Sequence, residues 1–308
     1  MTLRIGTRAS ALAMAQTRLV ADALSAKSGE QVELVPITTA GDRSTASLSS
    51  LGGTGVFAAA LREALLAKEC DIVVHSLKDL PTAQLPGLVV AATPKRADAR
   101  DALCAREGFT LQTLPHGGKV GTGSPRRRAQ LLAARPDLVT VDIRGNVDTR
   151  LGRARDGDLD AVVLAAAGLG RLGRLDAATH LLELDEWPTA PGQGALALEV
   201  REGDESLVAA LNDPTTQLMV DTERGVLALL EAGCAAPVGV TAMLDAGMLF
   251  ASARVYSLDG RGMLTSSHAL YPADTPDPAG ELSRRIATEL LDAGAAQLAP
   301  LGGSVISG

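Results

Sequence analysis

Nine basic residues against three acidic ones stand between Lys119 and Arg155, in a chain whose 29 Lys and Arg are outnumbered by 36 Asp and Glu for a net charge of -7. The positive charge is local. Most of it falls in two motifs, GTGSPRRRAQ and IRGNVDTRLGRAR, and each reads as a strand end, a glycine turn and a helix start. The first N–H groups and the dipole of such a helix favour an anion. Arg126 with Arg127, and Arg144 with Arg150, bring guanidiniums to the same place, suited to carboxylate or phosphate. One arginine run is ordinarily a solvated helix face; the repeated design predicts two clusters facing one anion-binding cleft.

The segment VVHSLKDLP sets Lys78 and Asp79 just past the C-terminal end of an apolar strand, the edge where open α/β sheets bind ligands. A solvated Lys–Asp pair before a proline turn is the competing reading, and the residues alone leave both open. His75, inside the strand, reads as a packed histidine. Cys234 lies in LLEAGCAAPVG beyond a helix end, where a thiol need not pack and can hold a covalent group. Work as a hydrolase nucleophile would need a partner base, and none of His75, His116, His180 and His268 stands out for it. Cys70 and Cys104 adjoin apolar strands and read as inert small hydrophobes. Gly168, Gly170 and Gly173 have the spacing of a dinucleotide-binding loop, with Glu183 and Asp185 downstream. Too few residues follow them before Trp187 and Pro188 for a full crossover, and Arg171 reads better as a further anion ligand.

Composition narrows the classes. Aromatic residues make up 2% of the chain, which removes base-stacking platforms, and the acidic balance argues against a general nucleic-acid or anionic-membrane binder. No apolar run approaches the roughly 20 residues of a membrane span, and MTLRIGTRAS has no signal-peptide hydrophobic stretch. A cytoplasmic protein is expected, with no nucleic-acid or membrane partner. Three cysteines at distant spacings fit neither a disulfide framework nor a metal site, so no metal is expected.

The elements that must position these residues follow from periodicity and punctuation. LRIGTR is a strand, Ser10 can cap an alanine-rich helix running to about Lys27, and QVELVPITT is a second strand. Residues 41–55 lack apolar periodicity and read as a lid loop. A helix from Val56 to about Lys68 and the strand DIVVHSL follow. KVGTGS, a helix through RRRAQLLAA, LVTVDI, a helix over NVDTRLGRAR and AVVLAAA then alternate, as a parallel or mixed sheet requires. WPTAPGQGALALEV returns to a strand and makes the first domain discontinuous. A long helix from about Pro214 to Glu231, the strands GVTAML and MLFASARVYSL and a helix over GELSRRIATELLDAG complete a smaller α+β domain. The expected class is α/β in three domains: 1–94 with 190–211, 95–189, and 212–308 carrying Cys234.

Taken in order, RIGTRAS, GDR, VHSLKDLP, RADARDA, GTGSPRR, RGNVDTR, AGLGRLG, APGQGA and EAGCAAPVG resemble the porphobilinogen deaminase (hydroxymethylbilane synthase) family, from Leu3 to about Gly239. The resemblance implies two hinged, periplasmic-binding-protein-like domains with mixed parallel sheets and a small third domain. It implies a transferase of tetrapyrrole biosynthesis that condenses four porphobilinogen molecules head to tail with release of ammonia, then hydrolyses the product to hydroxymethylbilane. A dipyrromethane cofactor linked covalently to Cys234, acting as primer, and a monomeric state are implied with it. Asp79 matches the family's catalytic carboxylate. Arg8, Ser10, Ser76, Lys78, Ser124, Arg126, Arg127, Arg144, Arg150, Arg171 and Gln193 match substrate- and cofactor-binding positions. The local arginines suit that chemistry, because each added pyrrole brings an acetate and a propionate. Thr54 stands where many members have lysine, Gly123 where many have serine, and Ala232 where a glycine precedes the cysteine. Other classes are a non-catalytic solute-binding protein, against which the Cys234 context argues, and a dehydrogenase, which would need NAD(P) at the Gly168 turn.

Overall fold

The computed structural model describes residues 2–38, 55–233 and 235–302. The expected lid loop at 41–55, apart from Gly55 at a helix start, and Cys234 lie outside the described residues. The chain opens with β1 (Thr2–Arg8), α1 (Ala11–Ser28), β2 (Gln31–Ile37), α2 (Gly55–Leu66), β3 (Ile72–Ser76) and β4 (Leu88–Ala92). It continues through β5 (Asp101–Ala105), β6 (Lys119–Gly121), α3 (Pro125–Ala134), β7 (Val139–Val141), α4 (Val147–Arg155), β8 (Ala161–Ala165), α5 (Ala166–Arg171) and β9 (His180–Leu182). After β10 (Leu196–Arg201) come α6 (Pro214–Leu229), β11 (Val238–Asp245), β12 (Met248–Tyr256), β13 (Met263–Leu270), α7 (Pro278–Asp292) and α8 (Ala295–Leu298).

Three sheets result. The first has the order β2-β1-β3-β10-β4, with β1 parallel to β2 and β3, and β10 antiparallel to its neighbours. The second, β7-β6-β8-β5-β9, has β6 parallel to β7 and β8 while β5 runs antiparallel to β8 and β9. The third is the antiparallel meander β11-β12-β13. The fold class is therefore α/β with two mixed sheets and a small antiparallel third, as the alternation of strands and helices predicted.

Two compact units are formed, Met1–Ala97 with Gly194–Gln217 and Asp98–Gln193 with Leu218–Gly308. The first is discontinuous because β10 inserts between β3 and β4. Its core gathers Ile5, Leu24, Ile72 and Leu198, each fully buried residue of this size contributing about 1.5–3 kcal/mol. In the second unit, Leu103, Val120, Leu131 and Trp187 form one cluster. The meander packs Val240, Leu249 and Val255 on Leu282, Ile286 and Leu290 of α7.

Two strands were not anticipated. β9 has three residues, and β13 carries the polar stretch TSSH, so neither shows the apolar alternation that identifies a strand. Helix α6 ends at Leu229, two residues before the expected Glu231.

Candidate active site

In the first unit, Gly6 pairs with Val73 across parallel strands, and continuing that register brings Arg8 level with His75. Arg8 and Ser10 thus leave the sheet at the same C-terminal edge as Ser76, Lys78 and Asp79. Ser10 caps α1 in extended conformation, its side chain accepting from the Ala13 N–H. Ser76 exchanges hydrogen bonds with the Gln16 amide of α1, at 3.1 and 3.2 Å. A single 3-10 turn, Leu77–Asp79, follows β3 and is closed by Leu80 N–H donating to Leu77 O at 3.1 Å. Leu77 and Leu80 are buried, which leaves Lys78 partly buried and Asp79 exposed. His75 is packed, as its place in the strand predicted: its Nε2 lies 3.0 Å from Glu199 Oε2 of β10. Arg62 of α2 grips the same carboxylate at 2.8 Å. Burial would push the Glu199 carboxyl up, but His75 and Arg62 hold it below its ordinary range.

In the second unit the register sets Gly121 of β6 opposite Val141 of β7 and Val162 of β8. The C-terminal ends of three parallel strands share one edge, which carries Ser124, Arg126, Arg127, Arg144, Arg150 and Arg171. Ser124 caps α3, accepting from the Arg127 N–H at 3.4 Å, with Pro125 in the first turn. Asn146 does the same for α4, accepting from Thr149 N–H at 2.8 Å. Gly145 before it has φ 107°, and a Cβ there would meet Thr149 Cγ2 at 2.9 Å. Arg150 donates through Nε to Gly145 O at 2.8 Å. Arg144, Arg150 and Arg171 are partly buried, and burial pushes the Arg171 guanidinium down to about 10.

Arg126 and Arg127 are not a solvated helix face. They are 4% and 7% exposed and turn inward to Asp101, the first residue of β5. Arg126 NH2 reaches Asp101 Oδ2 at 2.9 Å and Arg127 NH2 reaches Oδ1 at 2.6 Å. Gln193 Nε2 donates to Oδ1 at 2.8 Å and Trp187 Nε1 to Oδ2 at 3.0 Å. Burial alone would raise the Asp101 carboxyl, but the two guanidiniums and Gln193 hold it far below the ordinary carboxylate range. Arg126 is pushed down by burial, with Asp101 opposing. The residue readings passed over Asp101, Trp187 and Glu199, although Asp101 lies inside the RADARDA motif.

The glycine motif does not form a dinucleotide loop. Helix α5 begins at Ala166, directly after β8, with Gly168 and Gly170 inside it, so no glycine-rich turn separates strand from helix as pyrophosphate binding requires. Only Gly173, beyond the helix, has a positive φ, of 65°.

Two family models cover most of the chain. Residues 3–209 match the porphobilinogen deaminase dipyromethane cofactor binding domain, and residues 217–292 match the porphobilinogen deaminase C-terminal domain. The chain belongs to the porphobilinogen deaminase family. It is 62% identical to a porphobilinogen deaminase of Leifsonia xyli subsp. xyli, over 98% of this chain and 95% of the relative. It is 53% identical to porphobilinogen deaminase 1 of Streptomyces coelicolor, over 96% and 97%. Among solved structures, an ABC-transporter periplasmic substrate-binding protein from Coxiella burnetii is similar at 16% identity over 70% of this chain and 94% of that one, with a TM-score of 0.44. The porphobilinogen deaminase family is one of transferases, and the match extends to its dipyrromethane-binding domain.

The second unit's donors fit a polycarboxylate of the dipyrromethane kind. Arg127 Nε is buried with no hydrogen-bond partner among the described residues, and a buried donor left unpaired costs about 1–3 kcal/mol. A carboxylate is the acceptor such a donor lacks.

Proposed function

We propose that this chain condenses four porphobilinogen molecules head to tail, releasing ammonia at each addition, and hydrolyses the product to hydroxymethylbilane for tetrapyrrole biosynthesis. The observation that carries this reading is the family match along residues 3–209 and 217–292. A dipyrromethane joined to Cys234 would supply the nucleophilic pyrrole position that primes the chain. Arg8, Arg126, Arg127, Arg144, Arg150 and Arg171 bind carboxylates of substrate and cofactor, each charge-assisted bond being worth about 1.5–3 kcal/mol. Ser10, Ser76, Lys78, Ser124 and Gln193 add hydrogen bonds, and no metal takes part.

Asp79 carries the chemistry. Loss of ammonia from porphobilinogen leaves an electron-poor azafulvene whose positive charge is shared with the pyrrole nitrogen. A carboxylate beside that N–H stabilises the charge as it develops and moves protons during deamination and C–C bond formation. Asp79 is exposed at a strand end, where an incoming substrate can reach it.

The division 1–94 with 190–211, 95–189 and 212–308 into three domains, the first two hinged, belongs to the same reading. So do a monomeric state and a cytoplasmic location without nucleic-acid or membrane partners; no helix among the described residues is long and apolar enough to cross a membrane.

Intact mass of the purified chain against Cys234→Ala tests the proposal. An adduct of dipyrromethane mass, lost in the variant and coloured by Ehrlich's reagent, is expected. An unmodified chain that leaves porphobilinogen unconsumed overturns it.

A further inference from the structure

We propose that Asp101 is a positioning residue, fixing the orientation in which Arg127 meets a substrate or cofactor carboxylate; this rests on the porphobilinogen deaminase reading above. A carboxylate has about four acceptor positions, and Asp101 has all of them filled. Oδ1 takes Arg127 NH2 and Gln193 Nε2, while Oδ2 takes Arg126 NH2 and Trp187 Nε1. Its side chain is 0% exposed. No lone pair remains for a proton or a ligand, so Asp101 can act only through the groups it holds.

What it holds is specific. Arg127 NH1 donates to Val163 O at 3.1 Å while NH2 is tied to Asp101. Two of the three nitrogens are therefore fixed, and the third, Nε, is the buried donor without a partner among the described residues. A planar guanidinium held at two points presents its remaining N–H in one direction, so no reorientation is needed when a carboxylate arrives. Arg126 serves the same frame from behind. Its NH1 is spent on Gln130 Oε1 at 2.6 Å and Pro188 O at 3.2 Å, which ties it to the same frame that holds Arg127.

The charge count points the same way. Two buried guanidiniums against one carboxylate leave a net positive charge for one incoming anion. Without Asp101 the two would face each other uncompensated, and removal of one partner from a buried ion pair is strongly destabilising. The buried aspartate thus lets two arginines stand side by side.

The test uses full-length protein with Asp101→Asn and the double variant Asp101→Asn/Arg126→Gln, which restores the net charge if the single variant fails to fold. Arg127 Nε–H is followed by 15N NMR, assigned by its loss in Arg127→Lys. A single sharp resonance is expected in the parent and an averaged one in either variant; in Asp101→Asn, which removes no carboxylate-binding arginine, KM for porphobilinogen should rise about tenfold or more with kcat changed by less than about threefold. An unshifted Arg127 resonance in whichever variant folds, or an unchanged KM in Asp101→Asn, overturns the proposal. If the parent carries no dipyrromethane adduct, the functional reading fails instead, while the resonance still reports whether Asp101 holds Arg127.

Discussion

Two aspartates carry the same side chain and opposite chemistry. Asp79 ends a 3-10 turn and is exposed. Asp101 is enclosed by four donors and kept charged. Replacing Asp79 by Asn keeps shape and removes charge. Loss of electrostatic stabilisation of this kind costs about 10²- to 10³-fold in rate, so Asp79→Asn should retain the cofactor by mass and lose turnover by that order; full activity would remove Asp79 from the mechanism. Asp79 was singled out in the sequence because it follows an apolar strand, while its catalytic role there was implied only by the family resemblance. Asp101 was not, because its partners lie 25, 26, 86 and 92 residues away. A D-x-R-D run looks solvated until those four converge.

The helix starts that follow these strand ends are fixed by short polar caps. Ser10, Ser124 and Asn146 each accept from a backbone N–H three residues on, and these caps were readable as Ser or Asn before a helical run. Gly145 completes the second arginine turn. Gly145→Ala would force a Cβ into a positive φ against Thr149; a loss of about 1–3 kcal/mol in urea unfolding is expected, with KM raised through Arg150. Gly123 has its own constraint: a Cβ would come to 2.8 Å from Ile143 O, so the turn bearing Arg144 could approach this closely only beside glycine. Helix α2 is tied to β10 and β3 through Arg62, Glu199 and His75. Glu199→Ala should cost about 3–5 kcal/mol by denaturant unfolding, because it strands the partly buried Arg62 and the buried His75; a loss below 1 kcal/mol would show that Glu199 is not buried in solution. Spacing alone does not report whether the glycines of the Gly168 motif precede a helix or, as here, lie within it.

At the scale of the molecule, most shifted carboxylates move one way. Asp71, Asp98, Asp101, Asp160 and Glu199 are all held below their ordinary ranges by arginine, histidine or backbone donors that outweigh burial, while Asp221 is raised by burial. A carboxyl lowered in the folded state is charged there while the unfolded chain takes up its proton near pH 4. Its stabilisation is therefore complete above the unfolded value and lost as pH falls below it. Melting temperature should stay level from pH 8 to about 5 and drop below about 4.5; a melting point that held to pH 3 would contradict this balance. The discontinuity of the first unit bears on synthesis as well. A ribosome delivers residues from the N-terminus at roughly 5–20 per second, and every strand of the second sheet lies between residues 101 and 182, ahead of β10. Until Leu196–Arg201 emerges, β4 has no strand to pair with and β3 keeps an open edge. The sheet encoded first is the sheet finished second, and the nascent chain must carry an unpaired β4 through the making of its neighbour.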